Sequence, residues 1–237
     1  MLRINLSVAI LFAITTPLPA QDDPVVRLVG RLDLERYKAT IKGLTQFGDR
    51  RQGTARNRAA VDWIEQQLRS YGCSDVSRIT YQFPPAQTEP RPPRDTTRAA
   101  GGGKMRGVRA PTGVNTDSLR QPDAKLRALN AERTTPGERQ EVYCTKIGTG
   151  HPNEMYIVGA HMDGHGWGEA ANDDGSGTAL VMELARIFNS PDVETDVSIR
   201  FALWNNEETG LDGAEAYVAQ RQALQGKEDP PGSGRFP

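Results

Sequence analysis

Several things are scarce in this sequence. Two cysteines in 237 residues are too few for a disulfide scaffold, and they lack the short C-x-x-C spacing of a structural zinc site. With 29 basic and 30 acidic residues the net charge is -1, so no overall field draws nucleic acid or anionic lipid. No apolar run reaches the roughly 18 residues of a transmembrane helix, which argues against a membrane span. Aromatic residues make up 6%, and none lies between Pro84 and Gly137. That stretch therefore has no platform on which bases could stack. No internal repeat is visible at any solenoid period.

What is present is a globular composition, with 37% apolar residues and 24 glycines. At about 150 residues per domain, one domain is the default. Arg3, the apolar stretch from Leu6 to Ile14 and the segment ending at Ala20 read as the charged, hydrophobic and cleavage regions of a signal peptide, residues 1–20. The expectation is export to a periplasmic or extracellular compartment, with a mature domain over 21–237. In that setting Cys73 and Cys144 form either a single bridge or two small buried hydrophobes.

Leu34, Tyr37, Ile41 and Leu44, then Val61, Ile64, Leu68 and Tyr71, recur at helical spacing. A strand is expected over 73–83. Residues 84–137, rich in proline, glycine and arginine, read as an irregular insertion, solvated rather than nucleic-acid binding. Beyond it the pattern predicts strands at 141–147, 155–160 and 197–204 and helices at 175–188 and 212–224. This alternation implies an α/β fold with a mixed, mostly parallel central sheet between helices. The runs at 156–160 and 199–204 are mostly apolar on both faces, as in central strands.

Both of those strands end in polar clusters: His161-Met162-Asp163 after one, Asn205-Asn206-Glu207-Glu208 after the other. Asn172-Asp173-Asp174-Gly175-Ser176-Gly177 opens the helix between them. Ligands of open α/β sheets bind beyond the carboxyl ends of strands. Carboxylates gathered there repel one another, and a cation relieves them; imidazole with carboxylates suits zinc. Each piece alone has a plainer explanation. His161 fits a core histidine, Asp173 or Asp174 an N-cap, and Glu207 and Glu208 a solvated first turn. His151 and His165 lie in loops and are read as bystanders.

Taken together, Gly159-Ala160-His161-Met162-Asp163, Ala171 to Gly177 and Trp204 to Leu211 resemble the aminopeptidase Y-like di-zinc metallopeptidases, which include bacterial leucyl aminopeptidases. The likeness covers about Tyr143 to Val218. It implies a zinc exopeptidase-like three-layer fold acting on the N-termini of peptides or proteins with two zinc ions. In that scheme His161 binds one zinc, Asp173 bridges both, Glu208 binds the other, Glu207 is the general base and Asp163 orients the His161 ring. It also implies a cis peptide bond between Asp173 and Asp174.

The sequence departs from that pattern in one respect. The family adds an aspartate on a later strand and a histidine near the C-terminus. Here only Asp212 and Asp229 follow Glu208 as aspartates, and no histidine follows His165. The expectation is a C-terminally truncated domain that lacks its last two ligands. Two other functions share these residues: a glutaminyl cyclase-like zinc acyltransferase on the same scaffold, and a non-catalytic exported binding protein.

Overall fold

The computed structural model describes residues 23–84, 121–166 and 168–236. The expected signal peptide and most of the expected insertion lie outside them. The chain divides into two units, residues 1–32 and 33–237. In the first, α1 (Pro24–Val29) is capped by Asp23, whose side chain accepts from the Val25 amide.

In the second unit, Asp33 caps α2 (Leu34–Thr45) and Thr54 caps α3 (Ala55–Ser70). Each side-chain oxygen takes up amides that the first helical turn leaves unpaired. On α3, Ala60, Val61, Ile64 and Leu68 are buried at helical spacing. β1 (Asp75–Phe83) follows. The last part of the expected irregular insertion is helical: α4 spans Ala124–Ala131 and is capped by Asp123. Helix-favouring alanine, lysine, leucine and arginine account for it. Next come β2 (Gly137–Lys146), β3 (His151–His161), α5 (Gly175–Phe188), β4 (Val197–Trp204), the short α6 (Glu207–Gly210) and α7 (Asp212–Leu224).

The sheet has the order β1-β2-β4-β3. β1 with β2 and β2 with β4 are antiparallel, while β3 with β4 is parallel. The sheet is therefore mixed, but among the described strands only the β3-α5-β4 crossover is parallel. β3 is an edge strand there, with Tyr156 and Ile157 exposed, although its apolar run reads as a central strand. Apolar composition reports a strand's surroundings and not its place in the order.

Alternate side chains of β2 and β4 point to opposite faces. Val142, Cys144, Phe201 and Leu203 join α2, α3 and α5 in one core, and Tyr143 and Ala202 meet Tyr217 of α7 in another. The result is three layers, helix on sheet on helix. Phe201 and Leu203 are fully buried, each worth roughly 1.5–3 kcal/mol in removed apolar surface.

Cys73, just after α3, is disulfide-bonded to Cys144 of β2, with 6.2 Å between their Cα atoms. The bridge fastens the helical layer to the sheet across a sequence separation of 71. Loop-closure entropy predicts that Cys73→Ser/Cys144→Ser lowers the unfolding free energy by about 4 kcal/mol. Urea denaturation checks this, and a loss under about 1 kcal/mol would contradict the entropic account.

Candidate metal centre

His161 is the last residue of β3 and lies in register with Trp204, the last residue of β4. The chain leaves both strands at the same edge of the fold, and α5 begins between them. This is why three separated segments converge. Ligand atoms of His161, Asp173 and Glu208 all lie within 4.8 Å of one another. His161 Nε2 stands 3.2 Å from Asp173 Oδ1 and 3.7 Å from Glu207 Oε2.

Each pair of adjacent acids is divided. Asp174 is the N-cap of α5: its Oδ1 accepts from the Gly177 amide at 2.8 Å, and its Oδ2 accepts from the His161 amide at 3.3 Å. That fastens the end of β3 to the start of α5 and leaves Asp173 exposed beside His161. The Asp173–Asp174 peptide bond is cis, as the resemblance implies. Asn206 adopts a left-handed conformation, φ 63°, which asparagine tolerates better than most residues. The turn delivers Glu207 and Glu208 directly into α6. The solvated-first-turn reading is therefore right about where these acids sit, though Glu208 also joins the ligand group.

Asp163 differs in detail from expectation. It is fully buried, but the His161 Nδ1–H donates to its backbone carbonyl at 3.0 Å, while its carboxylate Oδ1 is 3.8 Å from that nitrogen. β3 ends at His161, so the rule that residues two apart face the same way no longer holds at 163. The carboxylate instead accepts from the Glu207 amide at 3.2 Å, joining the two strand ends. Because a carbonyl only accepts, Nδ1 carries the hydrogen and Nε2 is left to face Asp173 and Glu208.

The electrostatics are those of crowded acids. Burial raises the Asp163 carboxyl, against the Glu207 amide and His161, which lower it. Glu208 is pushed up to about 7 by burial and then by the charge of Asp173, with His161 opposing. The His161 ring is lowered by burial, but Asp163, Glu207 and Asp174 outweigh this and raise it. Asp163 Oδ2 is buried without a hydrogen-bond partner among the described residues. One imidazole nitrogen and two carboxylates, set among acids that resist ionisation, fit a divalent cation, and the N,O donor set fits zinc.

His165 is exposed and lines a cavity of about 420 Å³ with Arg51 and Thr209. Asp229 sits 3.9 Å from Arg221, and Asp212 opens α7. None of these three joins the ligand group, and neither does His151, which pairs with Asp196.

Residues 142–228 match the model described as Peptidase family M28. Over that segment the chain is similar to peptidase family M28. Aminopeptidase YwaD of Bacillus subtilis (strain 168) is 43% identical over 68 residues, covering 29% of this chain and 14% of that protein. The probable lipoprotein aminopeptidase LpqL of Mycobacterium tuberculosis is 34% identical over 134 residues, covering 56% of this chain and 23% of the relative. The chain thus spans less than a quarter of the length of either. Among solved structures, an aminopeptidase from Aneurinibacillus sp. strain AM-1 superposes with a TM-score of 0.57 at 24% identity, covering 82% of this chain and 68% of that one. BSAP, a zinc aminopeptidase from Bacillus subtilis, superposes with a TM-score of 0.53 at 18% identity, covering 79% and 65%. At these identities the likeness is one of fold.

Sequence reading passed over several residues that support the site. Arg50 and Asn57 are buried beneath it, and Glu141 lies beside Asn205. Glu141 Oε2 accepts from the Asn205 amide at 3.3 Å, while its Oε1 has no partner among the described residues. Burial pushes Glu141 up to about 8, against the Asn205 amide and with the charge of Asp163 adding to the rise. An acid raised in the fold supports stability fully below its ordinary value and loses that support as pH climbs through the raised one. In metal-free protein, Glu141→Gln is therefore expected to flatten the decline in stability between about pH 5 and pH 8. Urea midpoints at both pH values test it; an unchanged slope would assign the decline to other groups.

Proposed function

We propose that this chain forms the catalytic part of an exported zinc-dependent aminopeptidase that hydrolyses the N-terminal peptide bond of peptides or proteins. The observation that carries the reading is the ligand group itself, with donor atoms of His161, Asp173 and Glu208 inside 4.8 Å and Glu207 left over beside it. The family match over the same segment supports it. Export rests on the signal-peptide pattern of residues 1–20. No described helix is long and apolar enough to cross a membrane.

In this reading His161, Asp173 and Glu208 would hold the zinc. Bound zinc supplies Lewis acidity, which activates water and polarises the scissile carbonyl. The protein's own part is positional and protolytic. Asp163 and its carbonyl hold the Glu207 amide and the His161 ring, so the general base and the metal-facing nitrogen are set by one residue. Glu207, 42% exposed, with its amide held by Asp163 and its carboxylate 3.7 Å from His161 Nε2, is placed to take a proton from the attacking water. It then delivers that proton to the departing amine nitrogen. Two ions would share only these three protein ligands among the described residues, so zinc affinity is expected to be modest.

Glu207→Gln should lower kcat for an aminoacyl chromophore about 10²- to 10⁴-fold while zinc uptake persists. Asp173→Ala should abolish zinc uptake and activity together. Chelation should silence the wild type, and added zinc should restore it. Turnover that survives exhaustive chelation would defeat the hydrolase assignment.

A further inference from the structure

The turn between α2 and α3 carries none of the proposed ligands, yet it lies against all three segments that do. Arg50 is wholly buried, which arginine almost never is unless its donors are matched. Its Nε donates to the Met162 carbonyl at 2.7 Å, between His161 and Asp163 in sequence. Its Nη1 donates to Glu169 at 2.9 Å and Gly48 at 3.2 Å, and its Nη2 to Ala170 at 2.7 Å, three residues before Asp173. One rigid fork therefore spans both ends of the loop between β3 and α5.

The rest of the turn extends this hold. The Asp49 carboxylate, gripped by Arg56, accepts from the Gly166 amide at 3.3 Å. Asn57 donates to the Arg50 carbonyl at 2.7 Å and exchanges amide hydrogen bonds with Asn205 at 3.1 and 3.0 Å. Asn205 in turn accepts from the Asn206 amide, at the entry to Glu207 and Glu208. Space is equally constrained. A Cβ on Gly164 would lie 2.2 Å from the Ala170 Cβ, and one on Gly175 would lie 2.6 Å from the Ala170 carbonyl oxygen. Ala170 itself has φ 48° and Arg50 φ 52°. Residues with a Cβ keep such conformations only where their surroundings hold them.

We propose that Arg50 is the positioning residue of the metal centre: its guanidinium sets the spacing between His161 and Asp173 by holding the backbones at 162 and 169–170, and Asn57 relays the hold to the Glu208 segment. This rests on the zinc-centre reading above. A purely packing role would be indifferent to the fork, whereas a spacing role requires it, because lysine keeps the charge but cannot donate along three directions in one plane.

The test uses the full chain with Arg50→Lys and Asn57→Ala, and with Lys38→Met, which breaks an exposed ion pair with Glu35 on α2, as control. Two quantities are measured: zinc affinity by competition with a chromophoric chelator, and amide hydrogen exchange of the metal-free protein. Arg50→Lys should weaken zinc binding about 10- to 100-fold and speed exchange at residues 161–175, with α3 and β4 still protected. Asn57→Ala should speed exchange at 205–208 and leave 161–175 unchanged. The control should match wild type in both. The proposal is overturned if Arg50→Lys exchanges and binds zinc like wild type. It is equally overturned if Arg50→Lys loses protection throughout α3 and β4, because Arg50 would then support the whole fold and not the centre. A wild type that takes up no zinc would instead refute the zinc-centre reading, and the exchange data would still decide whether Arg50 holds the loops.

Discussion

Acids forced together at the carboxyl edge of a sheet are the constraint around which this structure is organised. Glu141, Asp163 and Glu208 are all raised by burial at that edge, Glu141 and Glu208 to about 8 and about 7. Such groups destabilise a fold unless opposite charge is brought to them. Arg50 brings one positive charge from beneath, and although burial lowers its own value to about 10 it stays protonated at neutral pH. A cation among His161, Asp173 and Glu208 would supply the remainder from the open side. The two charges act on different things: Arg50 spends its hydrogen bonds on backbone carbonyls, while the carboxylate oxygens of the ligand group stay available.

That separation explains the doubled acids. In the aspartate pair one member fixes geometry and the other meets the solvent side. Asp174 caps α5 and receives the His161 amide, and Asp173 is left exposed. At the other strand end the Glu207 amide is bound by Asp163, so the backbone is anchored while both glutamate side chains project. A single acid at the start of α5 would have to serve as cap and ligand at once, and the directions required are different.

Much of this was legible because burial and periodicity coincide. The helices at 175–188 and 212–224 and the strand at 197–204 have the bounds their apolar spacing predicts. The ligand candidates were visible because acids directly after apolar strands interrupt the hydropathy pattern where an α/β sheet places its ligands. Elements too short or too polar for a period were not: α6 has four residues, and α4 lies in a stretch dominated by loop-forming composition. The edge position of β3 was hidden as well, since order in a sheet is a matter of pairing that side-chain polarity does not encode. The ring partner of His161 was misjudged because the extended geometry assumed for Asp163 stops two residues earlier.

Arg50 was illegible for a different reason. Its partners are the carbonyls of Met162, Glu169 and Ala170, groups that every residue has, so no complementary side chain marks the contact in the sequence. A ligand must be a particular residue type, and three ligands in order make a readable pattern. A support that acts through backbone constrains only its own identity and the small residues that let it approach, here Gly164 and Gly175. The chemistry of a site like this one is thus written in its side chains, while its spacing is held by a residue distant in sequence whose role becomes visible only once the backbone is placed.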